Sequence, residues 1–424
     1  VTAAGPAGEP ASREAGPGAP GEERRRRKSL PGLLKLLVAL ALLGWVAWSL
    51  PWTDSLVFVT DSSGAREELV LPGTIRGGWR GEAVVFALEA GVVAPAGWPE
   101  SLRAQARHGE ELRVLRRAPE AQGFDWRPGM PRVLLDLQGR SLLSAFAGLL
   151  LGLAFGVTRW WRLLHLAGCP STWLNTLRLT FLGLFFNLVL PGLTGGDLPK
   201  AVLVVREHPE RRADAFATVV IDRLVGLWSL VLIANGILWT TVGFEVLRIP
   251  SGLTLLGMTL GLLFVLLPGP RRALGLARWI ERLPQARRLK KLEQAALIYR
   301  GRPAELVGSV LLSFGNHLSV ILAVYSIGSA FGDSLSLRDY VGIVPVANLI
   351  SALPLTPGGW GVGEAVYGEL FQRMGDVATV GVAVSVTFRL CNVVLGLLGG
   401  LFMLLPGGRV IRREVLEADV ELVD

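Results

Sequence analysis

Apolar residues in this chain come in long unbroken blocks rather than in the one-faced or alternating patterns of a soluble domain. Blocks run over 30–50, 141–158, 173–190, 213–242, 253–267, 304–331, 340–355 and 377–405. A helix that crosses a bilayer needs about 20 mostly apolar residues to span a hydrocarbon core about 30 Å thick. Six of the blocks are read as full spans. The blocks at 173–190 and 340–355 differ, because each runs into a cluster of Pro, Gly and Asn. The first reads NLVLPGLTGGDL from Asn187 to Leu198, and the second NLISALPLTPGGWGVGEA from Asn348 to Ala365. Pro191, Gly195 and Gly196 interrupt the first, and Pro357, Gly358, Gly359 and Gly361 the second. Irregular backbone at membrane depth is tolerated only where protein or water satisfies it. Each block is therefore read as a helix that dips into the membrane and returns, with return helices over residues 197–206 and 361–374.

This assignment also sorts the charges. With two re-entrant hairpins, the basic clusters at 24–28, 159–162, 206–212, 271–302 and 409–413 all fall on one side, as the positive-inside rule requires. Residues 271–302 alone carry ten Lys and Arg against two Glu, and are partly amphipathic, which suits a helix lying on anionic headgroups as well as a solvated loop. One hairpin enters from each face, which is the arrangement of an inverted-topology repeat.

Residues 52–138 interrupt the apolar blocks. Short β-prone pieces at 55–60, 68–71, 83–88, 111–115 and 132–137 are separated by Gly and Pro turns. The expected fold is an all-α polytopic membrane protein, an inverted-topology repeat with two re-entrant Gly/Pro-broken hairpins, plus a small β-rich extracytoplasmic domain. Its divisions are a disordered basic cytoplasmic tail at 1–29, a first transmembrane helix at 30–51, the β-rich domain at 52–138, the membrane domain at 139–408 and a cytoplasmic tail at 409–424. The basic run before residue 30 and the poor cleavage context after it favour a signal anchor with its N-terminus inside over a cleaved signal peptide.

Composition agrees with this reading. The chain is 51% hydrophobic and only 18% charged, with a formal net charge of +8. In a polytopic protein that excess belongs to cytoplasmic loops, so nucleic acid is not an expected partner. Two Cys are too few for a disulfide framework, four His show no zinc spacing, and there is no G-x-x-x-x-G-K-[ST] loop for a nucleotide. No cofactor or metal is expected.

The candidate chemistry lies at the breaks. Arg223 stands 28 residues after Gly195, and Arg389 stands 31 after Gly358, each near the middle of an apolar block. A charge at membrane depth opposes insertion by roughly 2.5–3.5 kcal/mol, so it marks function by default. Each return helix points its N-terminus inward, where free N–H groups and the helix dipole favour an anion. A guanidinium holds a phosphate through two parallel hydrogen bonds. Two of them beside two helix N-termini suit a phospholipid or polyprenyl-phosphate headgroup. Asp197 and Glu364, at or near those N-termini, either cap the helices or pair with the arginines. Asp222 can balance charge or carry a proton. Lys200, on the first return helix, snorkels or draws anionic headgroups inward. Asn187, Asn316, Asn348 and Asn392, with His317, either bond freed carbonyls or line a headgroup path. The bland alternative is an internal ion-pair network among Asp197, Asp222, Arg223, Glu364 and Arg389 that clamps the hairpins.

The segments RWWRLL, FFNLVLPGLTGGDLPKA and PLTPGGWGVGE, with the Asp-Arg helix and the Arg-containing last helix, resemble the membrane domain of bacterial lysylphosphatidylglycerol synthase/flippases and their stand-alone relatives. The likeness covers roughly 30–50 and 140–405. It implies movement of a phospholipid or lipid-linked headgroup between leaflets of the bacterial inner membrane. It places Asn187, Pro191, Gly195, Gly196, Asp197 and Arg223 on the family's first motif, and Pro357, Gly358, Gly359, Gly361, Glu364 and Arg389 on its second. The aminoacyl-transferring members carry a large cytosolic domain after the membrane part. That domain is not found here, so lysine transfer to lipid is not expected. Three readings stay open: a translocator of an anionic phospholipid or lipid-linked precursor, a membrane transferase using a polyprenyl-phosphate-linked substrate, and a non-catalytic scaffold with an envelope-biosynthesis partner.

Overall fold

The structure, a computed structural model, describes residues 48, 51–62, 65–95, 97–108, 110–116, 123–136, 138–189, 197–240, 245–266, 298–351 and 360–402. The expected tails, nearly all of the first span, most of the 271–302 segment and the two breaks themselves lie outside these residues. Pro191, Gly195, Gly196, Pro357, Gly358 and Gly359 are among them.

The β-rich reading of 52–138 holds. Five antiparallel strands, β1 (Asp54–Ser62), β2 (Ala65–Arg76), β3 (Ala83–Leu88), β4 (Leu112–Leu115) and β5 (Gly123–Arg127), form one sheet in the order β4-β3-β2-β1-β5. Register is fixed by alternation, with Leu56 opposite Leu71 on one side and Trp126 on the other. Leu56, Ile75, Phe86, Leu112 and Trp126 are buried. Helix α1 (Glu100–Arg107) lies between β3 and β4.

Two pieces of this domain depart from expectation. The segment at 132–137 is not a strand but part of helix α2 (Met130–Leu135), because Pro131 in its first turn favours helix and disfavours sheet pairing. The strand role passes to Gly123–Arg127, whose inward residues Phe124 and Trp126 give only one full alternation. Asp54 ties α2 to the sheet. Its carboxylate accepts from the Ile75 and Gly129 backbone N–H groups at 2.8 and 2.7 Å, and from Arg132 Nε at 2.9 Å.

The rest is helical: α3 (Gly139–Leu166), α4 (Trp173–Val189), α5 (Asp197–Glu207), α6 (Arg212–Thr240), α7 (Glu245–Leu266), α8 (Pro303–Phe331), α9 (Leu337–Ser351), α10 (Val362–Arg373) and α11 (Ala378–Leu401). Among the described residues, four helices are long and apolar enough to cross a membrane: α3, α6 with the 3-10 turn before it, α8 and α11. Helices α5 and α10 begin directly after the breaks, at the places the Gly/Pro clusters indicate.

Packing pairs these helices in a regular way. Helix α3 packs on α8, α5 on α6, and α10 on α11. Helix α4 packs on α11, whereas α9 packs on α6. Exchanging α3 with α8, α4 with α9, α5 with α10 and α6 with α11 maps these five pairs onto one another, whereas the packing of α8 on α6 has no counterpart of similar extent between α3 and α11. The α3–α8 seam is built from small residues. A side chain at Gly148 would meet Ala323, and one at Gly152 would meet Asn316 and Ser319. Close backbone approach between apolar helices depends on such residues.

The sheet domain is braced against the end of α8. Gln138 N–H donates to the Ala330 carbonyl at 3.0 Å, and the Arg80 guanidinium lies over Gly332, which caps α8 in the left-handed conformation. Beside it, the Tyr340 hydroxyl donates to Asp333. Burial pushes the Asp333 carboxyl up to about 6, and Asp376 and Asp339 add to this, while the Tyr340 hydrogen bond and the Arg80 charge oppose it. A raised carboxyl favours the protonated folded state. Its stabilisation is present below about pH 4 and is lost as pH rises through about 6. Thermal unfolding in detergent should therefore lose midpoint temperature between pH 4 and 7, and Asp333→Asn should flatten that interval. An unchanged pH profile in the Asn variant would show that Asp333 is not the group responsible.

Candidate functional site

Two acid–arginine pairs follow the same plan. Asp197, the first residue of α5, pairs with Arg223 on α6. Glu364, in the first turn of α10, pairs with Arg389 on α11 through Nε at 2.6 Å. In each case a carboxylate at the start of a short helix, just past a break, meets a guanidinium from the long helix that follows. The acid is favoured there by the helix dipole and by free N–H groups. Glu364 also takes a hydrogen bond from the Gly361 N–H at 2.6 Å, which requires the left-handed turn at Gly361 (φ 84°). Ser385 donates to its other oxygen at 3.3 Å. The Arg389 guanidinium stacks 5.1 Å from the Trp360 ring centre.

The two pairs differ in exposure. The Arg223 and Asp197 side chains are 55% and 34% exposed, against 15% and 6% for Arg389 and Glu364. The first pair opens to its surroundings and the second is enclosed by protein.

A third cluster lies behind the first pair. Asp222 is buried and does not pair with its neighbour Arg223. Its carboxylate accepts from Arg159 Nε at 2.7 Å and from Lys200 Nζ at 3.4 Å. Arg159 Nη1 also donates to Ser313 Oγ at 2.6 Å. Lys200 Nζ sits 3.7 Å from the Trp160 ring centre, and Trp160 Nε1 is anchored on Thr218 at 3.0 Å. Gly226, one turn beyond Asp222, leaves the space that the Arg159 guanidinium fills. All three charged groups are buried, so two cations face one carboxylate in a site closed off by protein. Such an excess is strongly disfavoured without a further anion or water.

This cluster corrects two expectations. Arg159, counted above in the basic cluster at 159–162, is buried in the core of the helical domain. Lys200 does not snorkel outward but turns inward onto Asp222. The outer edge of the same helix end is held by Arg162 on Glu305.

The polar side chains divide. His317 Nε2 contacts the Gly226 carbonyl at 3.0 Å, and Asn392 Nδ2 donates to the Phe388 carbonyl at 2.8 Å. Both satisfy helix carbonyls and lie on the same helices as the clusters or against them. Asn316 faces Gly152 across the α3–α8 seam. Asn348 is half-buried near the end of α9, and Asn187 is exposed near the end of α4. The acid–arginine pairs thus gather Asp197, Arg223, Gly361, Glu364 and Arg389. Lys200 and Asp222 join Arg159 beside them, and the asparagines are spread along the helices.

Residues 122–400, which contain all of these groups, match the family described as the lysylphosphatidylglycerol synthase TM region. The chain belongs to that family. A relative within reach is the UPF0104 membrane protein PH1989 of Pyrococcus horikoshii, 22% identical over 307 residues, covering 66% of this chain and 92% of the relative. No solved structure matches the chain. Membership of the lysylphosphatidylglycerol synthase TM region family, together with four apolar helices of spanning length, makes this an integral membrane protein. The matched region starts just before β5, so it takes in only the last strand of the sheet.

Proposed function

We propose that this protein moves an anionic phospholipid or lipid-linked precursor between leaflets, with the headgroup phosphate engaged by Arg223 and Arg389 at the two helix starts. The observation that carries this reading is the buried cationic excess of Arg159 and Lys200 over Asp222, adjoining the Asp197–Arg223 pair. One phosphodiester charge brought there balances it. Asp197 and Glu364 hold the guanidinium groups while no phosphate is bound, and the phosphate displaces or shares them. Pro191 and Pro357 interrupt the helices, Gly195, Gly196, Gly358 and Gly359 permit close approach of the headgroup to backbone N–H groups, and Asn187, Asn316, Asn348 and Asn392 line its path.

The same reading takes the two helix–break–helix units as re-entrant hairpins of an inverted repeat in the bacterial inner membrane, with the N-terminus cytoplasmic. What supports it is the five helix pairs that exchange between the two halves and the two acid–arginine pairs at matching places. Exposure at one pair and enclosure at the other suit a site that opens to one side at a time.

The test is flux of NBD-labelled phosphatidylglycerol in reconstituted vesicles, read by dithionite quenching. Arg223→Gln and Arg389→Gln should each reduce flux by roughly tenfold or more, since a charge-assisted hydrogen bond contributes about 1.5–3 kcal/mol. Arg→Lys should also impair, because the two-pronged contact is lost. Wild-type flux in a correctly inserted Gln variant would remove the phosphate role.

A further inference from the structure

The base of the sheet domain presents two large apolar side chains to its surroundings. Trp52, just before β1, is 52% exposed, and Leu135, the last residue of α2, is 86% exposed. Both border one cavity of about 460 Å³, whose walls also include Gly73, Thr74 and Pro131.

Local structure holds them at this place. The Met130 N–H donates to the Pro51 carbonyl at 2.7 Å, which ties the chain around Trp52 to the start of α2. Met130 and Val133 are buried, and α2 packs on α11, so Leu135 cannot turn inward without losing that packing. The cavity brings no free charge. Arg132, on its wall, is bound to Asp54 and to the Ile75 and Gly77 carbonyls.

A lone exposed leucine needs no explanation, but the position of this one chooses its partner. Helix α3 begins at Gly139, four residues after Leu135, and is long and apolar enough to cross the membrane. Four residues reach at most about 14 Å. The interfacial layer of headgroups extends roughly 5–8 Å beyond the hydrocarbon core on each side. Trp52 stands two residues after the apolar block 30–50. An indole is amphipathic and concentrates at the membrane–water boundary. The same end of the domain is tied to α8, through Gln138 on Ala330 and Arg80 over Gly332.

We propose that Trp52 and Leu135 dock the sheet domain on the lipid surface of its own membrane, with lipid filling the cavity between them. The domain is then held in height and tilt by the bilayer as well as by the helices. This goes beyond lipid translocation and stands or falls independently of it.

The test places a bimane fluorophore on Leu135→Cys in the full chain, reconstituted in phosphatidylcholine vesicles. Cys169 and Cys391 are buried, so the label reports the introduced position. Quenching is measured with phosphatidylcholine carrying a nitroxide near the top or near the end of an acyl chain, and with iodide in the water. The label should be quenched roughly threefold more by the shallow nitroxide than by the deep one, as expected at the interface. The same label on Leu143→Cys, exposed in α3, gives the reference for lipid contact. Strong iodide quenching with no lipid quenching would show that the patch faces water and would overturn the proposal. Shielding from both quenchers would overturn it too, because protein, either the 30–50 segment or a second copy of the chain, would then cover the patch.

Discussion

Asp222→Asn should be among the most damaging single substitutions in the helical domain, lowering stability by about 3–5 kcal/mol, the range for breaking a buried ion pair from one side. The substitution keeps size and shape but leaves Arg159 and Lys200 facing each other without a counter-charge. Neither can escape to water, because each is held under one-tenth exposed among α3, α5, α6 and α8. The readout is thermal unfolding in detergent. The loss should shrink in the triple variant Arg159→Met, Lys200→Met, Asp222→Leu, since an apolar set of similar volume carries no desolvation penalty. If the proposed function is right, that triple variant should fold and transport nothing. A single Asn variant as stable as wild type would mean that water already screens the cluster.

The second large effect is a contrast between matched positions. Glu364→Gln should destabilise by about 2–4 kcal/mol, whereas Asp197→Asn should lower stability by less than about 1 kcal/mol. Both carboxylates sit at the start of a short helix and both meet an arginine. Glu364, however, is enclosed and also accepts from Gly361 and Ser385, so its removal strands a largely buried guanidinium. The Asp197–Arg223 pair is more exposed, and if it faces the water-filled opening of the proposed site, ionic attraction there is screened and side-chain ordering offsets it. Transport should respond the other way round in proportion, with the Asp197 variant losing flux out of scale with its small change in stability. Equal unfolding midpoints for the two variants would show that exposure does not separate the pairs.

Much of this was legible in the sequence because the signals were local. Apolar blocks, the Gly/Pro clusters and the lone arginines each fix a helix, its end or its special residue without reference to distant parts of the chain. The starts of α5 and α10 follow from spacing of that kind, which for Asp197 and Glu364 left capping the helices and pairing with the arginines as alternatives. Long-range partners were not legible. Arg159 sits in an RWWR run that looks like any basic end of a span, and only the fold brings it against Asp222, 63 residues away. The 132–137 piece misled because its residues suit either structure, and Pro131 decides locally for helix.

One packing feature bears on how the molecule is made. Helix α4 of the first half rests on α11 of the second, and α9 of the second rests on α6 of the first. A ribosome that has synthesised residues through α7 has therefore produced a half whose α4 meets α3 and α5 but not the α11 face it finally rests on. That face arrives only with α11, the last described helix, some 110 residues later. The two halves are completed together rather than in turn, so the packing around α4 is finished only near the end of synthesis.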